Sequence, residues 1–397
     1  MVFYLLAISV ILFFSFFLYQ YWKELQFRHK PFYRLSDIGW RTQQPPPPSE
    51  KVFSVALVGD AGGACSPEKD AVMRALQHWA AEQTKDSITV FLGDNIYPVG
   101  LPPENDKRRK AAEDILHNQL KALEQFKGRT IYLSGNHDWN KGRSNGYAFL
   151  LRQQEYLIKY LNDSDCYLPM NGCPGPVPVQ LTPDVLLIVI NTQWWVQRGV
   201  RPIGKQYQCD VENEHEFFRK LDMLLRQNRH QRILIAAHHP LYSNAIHGGQ
   251  FSVKQHIFPL TAAYKRFYIP FPLIGSLYPL YRRLFGASED MSHPRYKKMR
   301  RRLLNVLGKY KNIVYAAGHD HNLQYFNIRK NHFIVSGSAS KLTFVQIGGR
   351  ATFTHEAKGF FVIDYYQNGE TWMTVLEAPR EEGKFSTVTF RKKLERE

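Results

Sequence analysis

Charge is missing from the start of the chain: no Asp, Glu, Lys or Arg occurs between Val2 and Trp22. At about 1.5 Å per residue, a helical run of that length could cross the roughly 30 Å hydrocarbon core of a bilayer. The run also lacks a basic leading region and an A-x-A cleavage signal, and it is longer than the apolar part of most signal peptides. These absences argue against a cleaved leader and for a single-pass transmembrane helix over 1–22, with Tyr19, Tyr21 and Trp22 at one interface. Basic residues are absent before the run but follow it at Lys23, Arg28, Lys30, Arg34 and Arg41. The positive-inside rule would then put the globular part in the cytoplasm, but the sequence leaves the side of the membrane open. Cysteine is scarce, with 4 in the chain. Cys166, Cys173 and Cys209 leave room for one disulfide in an oxidising compartment or for free thiols, so they do not settle the location. No internal repeat and no nucleic-acid-binding motif is visible.

Acidic residues are outnumbered, 35 against 52 basic ones, for a net charge of +17. That balance favours anionic partners: phosphorylated substrates, lipid headgroups or nucleic acid. Without an aromatic-basic RNP-like run, nucleic acid is the weakest of the three. With 397 residues, 44% of them hydrophobic, the chain can bury a large core. A juxtamembrane linker is expected over 23–50, ending in the stiff spacer Pro45–Pro48. The globular part then covers 51–397.

Within it, Val52–Val58 reads as the first buried strand, followed by a glycine-rich turn. Ser66-Pro67 reads as a helix start, with Ser at the N-cap and Pro at the first helical position. Later strands are expected at 87–92, 130–133, 186–190, 232–236 and 312–316. Helices alternate with them at about 107–125, 146–161, 212–228 and 293–307. The remainder, 323–390, reads as mostly β.

Five of these strands run into polar clusters. They carry Asp60; Asp94, Asn95 and Tyr97; Asn136, His137 and Asp138; His238, with His247 a little later; and His319 and His321. Loops beyond the C-terminal ends of strands are where open α/β sheets bind ligands. Each cluster alone has an ordinary reading as a capped turn, a surface loop or a packing pair. Coincidence at five strand ends is hard to reconcile with those readings. Asp94 has two oxygens and can bridge two cations.

The motifs Asp60-x-Gly62, Gly93-Asp94-Asn95-x-Tyr97, Gly135-Asn136-His137-Asp138, His238-x-Pro240 and Gly318-His319-x-His321 resemble the calcineurin-like metallophosphoesterase superfamily. The tyrosine in the second motif makes the purple acid phosphatase branch the closest match. The resemblance covers about 53–328. It implies a four-layer α/β/β/α sandwich and a dinuclear metal centre. Asp60, Asp94, Tyr97 and His321 would bind the first metal, and Asp94, Asn136, His238 and His319 the second. A shell with two carboxylates and a phenolate suits Fe(III), and the second set suits a divalent ion (Fe, Zn or Mn). Such a pair acidifies water and clamps an in-line displacement at phosphorus. The implied activity is hydrolysis of a phosphate ester by metal-bound hydroxide. His137 and His247 match the two non-ligand histidines that stabilise the phosphoryl oxygens and protonate the leaving alkoxide. Asp138 would orient His137.

Two stretches stand apart from the resemblance. His239 could be a third pocket histidine or simply pack. The insertion at about 258–290 is dense in aromatic residues, Leu and Pro, with Lys265, Arg266, Arg282 and Arg283 interspersed. It could be a lid on the core or an interfacial element lying on the bilayer. The leading expectation is a membrane-tethered phosphomonoesterase acting on a small molecule or lipid. The alternatives are a phosphodiesterase or pyrophosphatase for a lipid-linked or nucleotide substrate, and a non-catalytic membrane scaffold. The complete ligand set argues against the scaffold.

Overall fold

The computed structural model describes residues 2–262, 266–271, 274–378 and 386–394. Helix α1 (Val2–Phe27) leads to a two-residue strand, β1 (Phe32–Tyr33). Strand and helix then alternate: β2 (Lys51–Val58), α2 (Ala71–Ala81), β3 (Ser87–Phe91), α3 (Arg109–Lys121), β4 (Arg129–Tyr132) and α4 (Gly146–Leu161). The chain continues through β5 (Val177–Thr182), β6 (Val185–Val189), α5 (Gln193–Val196), α6 (Glu214–Gln227) and β7 (Arg232–Ala236). Helix α7 (Val253–Ile257) leads into the insertion, which contributes α8 (Leu277–Leu284), and α9 (Pro294–Leu307) precedes β8 (Val314–Ala317). Six further strands complete the described chain: β9 (Leu323–Ile328), β10 (Asn331–Ser336), β11 (Phe353–His355), β12 (Gly359–Tyr366), β13 (Thr371–Glu377) and β14 (Thr387–Leu394).

The strands form two sheets, ordered β14-β13-β12-β2-β3-β4 and β1-β11-β9-β10-β8-β7-β6-β5. Side chains alternate across each strand, and here both faces are buried. Val55, Leu57 and Val90 of one sheet meet Leu187, Leu234 and Ala236 of the other in a central core. The intervening Ala56, Val58 and Phe91 pack under α2, α3 and α4. Leu186, Ile188 and Ile235 pack under α6 and α9. The layers therefore run helix, sheet, sheet, helix, as the motifs implied. The strand ends that carry the polar clusters lie in both sheets.

Two local expectations are corrected. Helix α2 begins at Ala71, not Ser66, because the buried Asp70 carboxylate accepts from the Val72 and Met73 N–H groups. Ser66 instead starts a turn, its carbonyl accepting from Lys69 and Asp70. The segment 23–50 is not a free spacer. Strand β1 pairs with β11, Trp40 is buried in the inter-sheet core, and Arg28 is ion-paired with Glu356 at 3.0 Å. Pro45–Pro48 line a cleft with Trp79 and Trp372.

Cys173 and Cys209 form a disulfide, while Cys65 and Cys166 are free thiols. The expected membrane-spanning helix is not shown: among the described residues, no helix is long and apolar enough to cross a membrane. Helix α1 nevertheless runs for 26 residues, and the side chains of Val2, Phe3, Leu6 and Val10 within it fall outside the described set. Its far end is fixed to the globular part, where Glu24 Oε2 accepts from the Val253 N–H at 2.7 Å. Lys265 of the insertion lies outside the described residues.

If residues 23–50 belong to the folded unit, Trp40→Ala should cost about 3 kcal/mol of stability. Urea unfolding checks this. An unchanged midpoint would mean that the segment is a spacer after all.

Candidate metal centre

Each expected ligand leaves the end of a strand, and three of them do so in a backbone conformation unusual for their residue type. Asp60, Asp94 and His319 have φ of 61°, 54° and 71°. Non-glycine residues adopt such left-handed geometry rarely, and it concentrates at functional sites. Neighbouring glycines allow the approach. A Cβ on Gly135 would lie 2.3 Å from Asp94 Oδ1, and one on Gly318 would lie 2.5 Å from Asp60 Oδ2.

The first donor set gathers around Tyr97. Its hydroxyl lies 2.9 Å from Asp60 Oδ1, 3.3 Å from Asp94 Oδ2 and 3.0 Å from His321 Nε2. The second gathers around His238, whose Nε2 lies 3.0 Å from Asn136 Oδ1, 3.2 Å from His319 Nδ1 and 3.5 Å from Asp94 Oδ1. Asp94 thus turns one carboxylate oxygen to each set. Donors about 2.1 Å from a common ion stand roughly 3.0–3.4 Å apart in octahedral or tetrahedral geometry. The observed spacings match, so the residues fit two cations.

Their outer partners agree. His238 Nδ1 is 2.8 Å from the Leu92 carbonyl and His319 Nε2 is 2.9 Å from the Glu289 carbonyl. Each backbone oxygen accepts from one ring N–H and leaves the other nitrogen's lone pair facing the centre. The electrostatics also call for cations. Burial, then the neighbouring Asp94 charge, push the Asp60 carboxyl up to about 8. Burial and Asp60 hold the Tyr97 phenol well above its ordinary value. A cation between these groups would reverse both shifts.

The non-ligand residues divide. His137 presents Nε2 to the cluster, 3.8 Å from Asp94 Oδ2, while its Nδ1 lies 2.7 Å from the Pro98 carbonyl. Asp138 does not orient it, contrary to expectation. The Asp138 carboxylate accepts instead from the Gly135 and Asn95 backbone N–H groups at 2.8 and 3.0 Å and from the Asn95 amide at 3.1 Å. It ties two ligand-bearing loops together. His239 packs: its Nδ1 is 2.9 Å from Thr192 Oγ1, and burial pushes its pKa down to about 4. His239 does lie within reach of His238 and His319, but its Nε2 faces Glu289 at 3.7 Å.

His247 sits on this centre, its ring 4.2 Å from that of His319. Its Nδ1 lies 2.9 Å from Asp290 Oδ1. Burial works against the charged imidazole, but Asp290 and Asp320 outweigh it and raise the pKa. The sequence reading missed Glu289 and Asp290 as site residues. Their only signal was an acidic pair closing an otherwise basic insertion. It also missed Lys341, whose Nζ stands 3.0 Å from the Tyr97 ring centroid.

The sequence pattern of the calcineurin-like phosphoesterase family matches residues 53–323, and the chain belongs to this family. It is a metal-dependent phosphoesterase, a hydrolase with a dinuclear metal site. No curated protein matches it in overall sequence. Among solved structures, it resembles a purple acid phosphatase from yellow lupin seeds, with 13% identity and a TM-score of 0.51, covering 88% of this chain and 55% of the lupin protein. PhoD gives 13% identity and a TM-score of 0.49, covering 88% and 73%. GAP50, the anchor in the inner membrane complex of Plasmodium, gives 16% and 0.49, covering 86% and 89%. At these identities the likeness concerns the fold alone.

The shifts predict how metal-stripped protein responds to pH. Asp60 is pushed up to about 8 in the fold from an ordinary carboxyl value of 3.8, so its contribution to stability falls as pH rises through that window. His239 and His321 are pushed by burial to about 4 from 6.5, so their contribution falls as pH drops through theirs. In chelator the unfolding midpoint should therefore peak near pH 6.5, the ordinary histidine value. A divalent ion should abolish the alkaline decline. A midpoint that is flat on the alkaline side in chelator would contradict this account of Asp60.

Proposed function

We propose that the protein is a membrane-tethered phosphatase that hydrolyses phosphate monoesters at a centre of Fe(III) and a divalent ion (Fe, Zn or Mn). The observation that carries this reading is the Asp94 carboxylate, with one oxygen facing each donor set. Tyr97 beside two carboxylates supports a trivalent ion in the first position, because hard anionic oxygens favour it. When bound, the two cations polarise the phosphoryl oxygens and acidify a water for in-line attack.

The chain's own residues do the rest. His137 Nε2 faces the cluster where the phosphoryl oxygens would lie. His247 is held by Asp290, so its Nε2 is free to donate a proton to the departing alkoxide, and its raised pKa keeps that proton available. Lys341 adds positive charge at the mouth. The aromatic insertion beside the site supports a second reading, hydrolysis of a phosphodiester or pyrophosphate on a lipid-linked substrate.

The charge-free run of α1 supports the tether. The Cys173–Cys209 disulfide supports an oxidising compartment for the globular part. It outweighs the Lys/Arg bias after α1, because a disulfide requires an oxidant whereas charge bias sets only a preference.

His247→Ala should lower kcat on p-nitrophenyl phosphate by roughly 100-fold with metal content unchanged; loss of metal together with activity would make His247 a ligand. Faster turnover of bis(p-nitrophenyl) phosphate than of the monoester would favour the second reading. Oxidised protein should show a visible tyrosinate-to-iron band that Tyr97→Phe removes. A colourless, iron-free and fully active preparation would refute the metal assignment.

A further inference from the structure

Helix α8 is amphipathic in the reverse sense for a helix on a folded domain. Leu277, Leu280, Tyr281, Leu284 and the following Phe285 share one face at i, i+3, i+4, i+7 and i+8 spacing. That face points outward, with Leu280 48% and Phe285 63% exposed. The opposite face carries the charge. The Arg282 side chain is only 12% exposed, and its Nε donates to Asp290 Oδ2 at 2.7 Å. Asp290 in turn holds His247. Phe267, Ile269 and Ile274 extend the exposed apolar surface beyond the helix. Apolar patches of this extent are rare on proteins that meet only water, and they mark a surface that something covers.

Helix α1 indicates what covers it. Phe13, Phe17 and Tyr21 of α1 share a mainly apolar groove of ≈ 610 Å³ with Ile257, Phe258 and Tyr268. Phe13 lies about 14 Å along the helix axis from Trp22, the end of the charge-free run. If that run enters a bilayer, the apolar residues lining this groove meet the bilayer beside it. Basic residues stand around the patch: Lys254, which reaches the Tyr268 hydroxyl, with Arg266 and Arg283 exposed to meet lipid phosphates. This division of aromatic and basic groups is that of an interfacial element.

We propose that α8 and the turns before it dock on a phospholipid surface, seating the metal centre beneath them at the level of headgroup phosphates. This rests on reading α1 as a membrane anchor. The Arg282–Asp290–His247 chain, on the inner side of α8, then joins the docked helix to the site.

The test uses the full chain carrying Cys65→Ser, which removes the exposed thiol, and one added cysteine bearing an environment-sensitive fluorophore. The three positions are Leu280→Cys on α8, Leu18→Cys on α1 and Met223→Cys on α6, each checked for an unchanged unfolding midpoint. Vesicles of phosphatidylcholine and phosphatidylserine, with or without nitroxide-labelled phosphatidylcholine, provide the probe. Fluorescence at 280 should fall by at least about twofold with the nitroxide lipid, while that at 223 is unchanged. Quenching at 280 supports docking whether or not 18 is quenched. Quenching at 18 without 280 overturns docking and leaves the anchor standing. Quenching at neither overturns both. A dimer that Leu280→Glu converts to monomer, with 280 unquenched, would assign the stripe to a second copy of the chain and also overturn the proposal.

Discussion

A single buried carboxylate faces two groups of donors, and the surrounding architecture follows from holding it there. Asp94 is surrounded by His137, His238 and Tyr97 at contacts of 2.8–3.8 Å, and it shares a cluster with Asp60. Packing so many donors together without water is unfavourable unless positive charge sits among them. The fold withstands that demand by anchoring the ligands on loops at the ends of buried strands. The loops have little freedom: Asp138 ties the Asp94 loop to the Gly135 loop, and Asp60 accepts from the His319 N–H at 2.7 Å across the two sheets. The left-handed backbone at Asp60, Asp94 and His319 is the local cost of turning the side chains onto a common point.

The insertion is part of the centre as well as a feature of the surface. Its last residues reach the centre directly, through the Glu289 carbonyl on the candidate ligand His319 and the Asp290 carboxylate on the non-ligand His247. Its basic helix face supplies Arg282, which fixes Asp290. Burial of Asp290 strengthens these contacts, since ion pairs and charge-assisted hydrogen bonds gain where water is excluded. A segment that would otherwise read as decoration therefore sets the orientation and proton affinity of His247. The Arg282–Asp290–His247 contacts link α8 to the site.

The candidate metal ligands were legible because each stands at a fixed short offset from a strand, and strands announce themselves by apolar, β-branched runs. Helix α4 and strand β7 were legible to the residue for the same reason: periodicity and boundary signals agree there. Asp138 was misread because its identity suggested a histidine partner, whereas the nearest unsatisfied groups proved to be backbone N–H donors on two loops. Ser66-Pro67 carried a sound helix-start signal, but Asp70 satisfied the first helical amides better. The 23–50 segment read as a linker because its polar and proline-rich composition hides one decisive aromatic, Trp40, that finds the inter-sheet core.

The layered α/β class, the seven candidate ligands and the two further histidines at the centre could be read from the order of residues, since short-range pattern and residue chemistry suffice for these. Tertiary structure alone decided that Cys173 pairs with Cys209, that Asp290 serves His247, and that α8 turns its apolar face outward. Those outcomes join positions far apart in the chain or depend on which side of a helix is covered, and neither leaves a periodic trace in the order of residues.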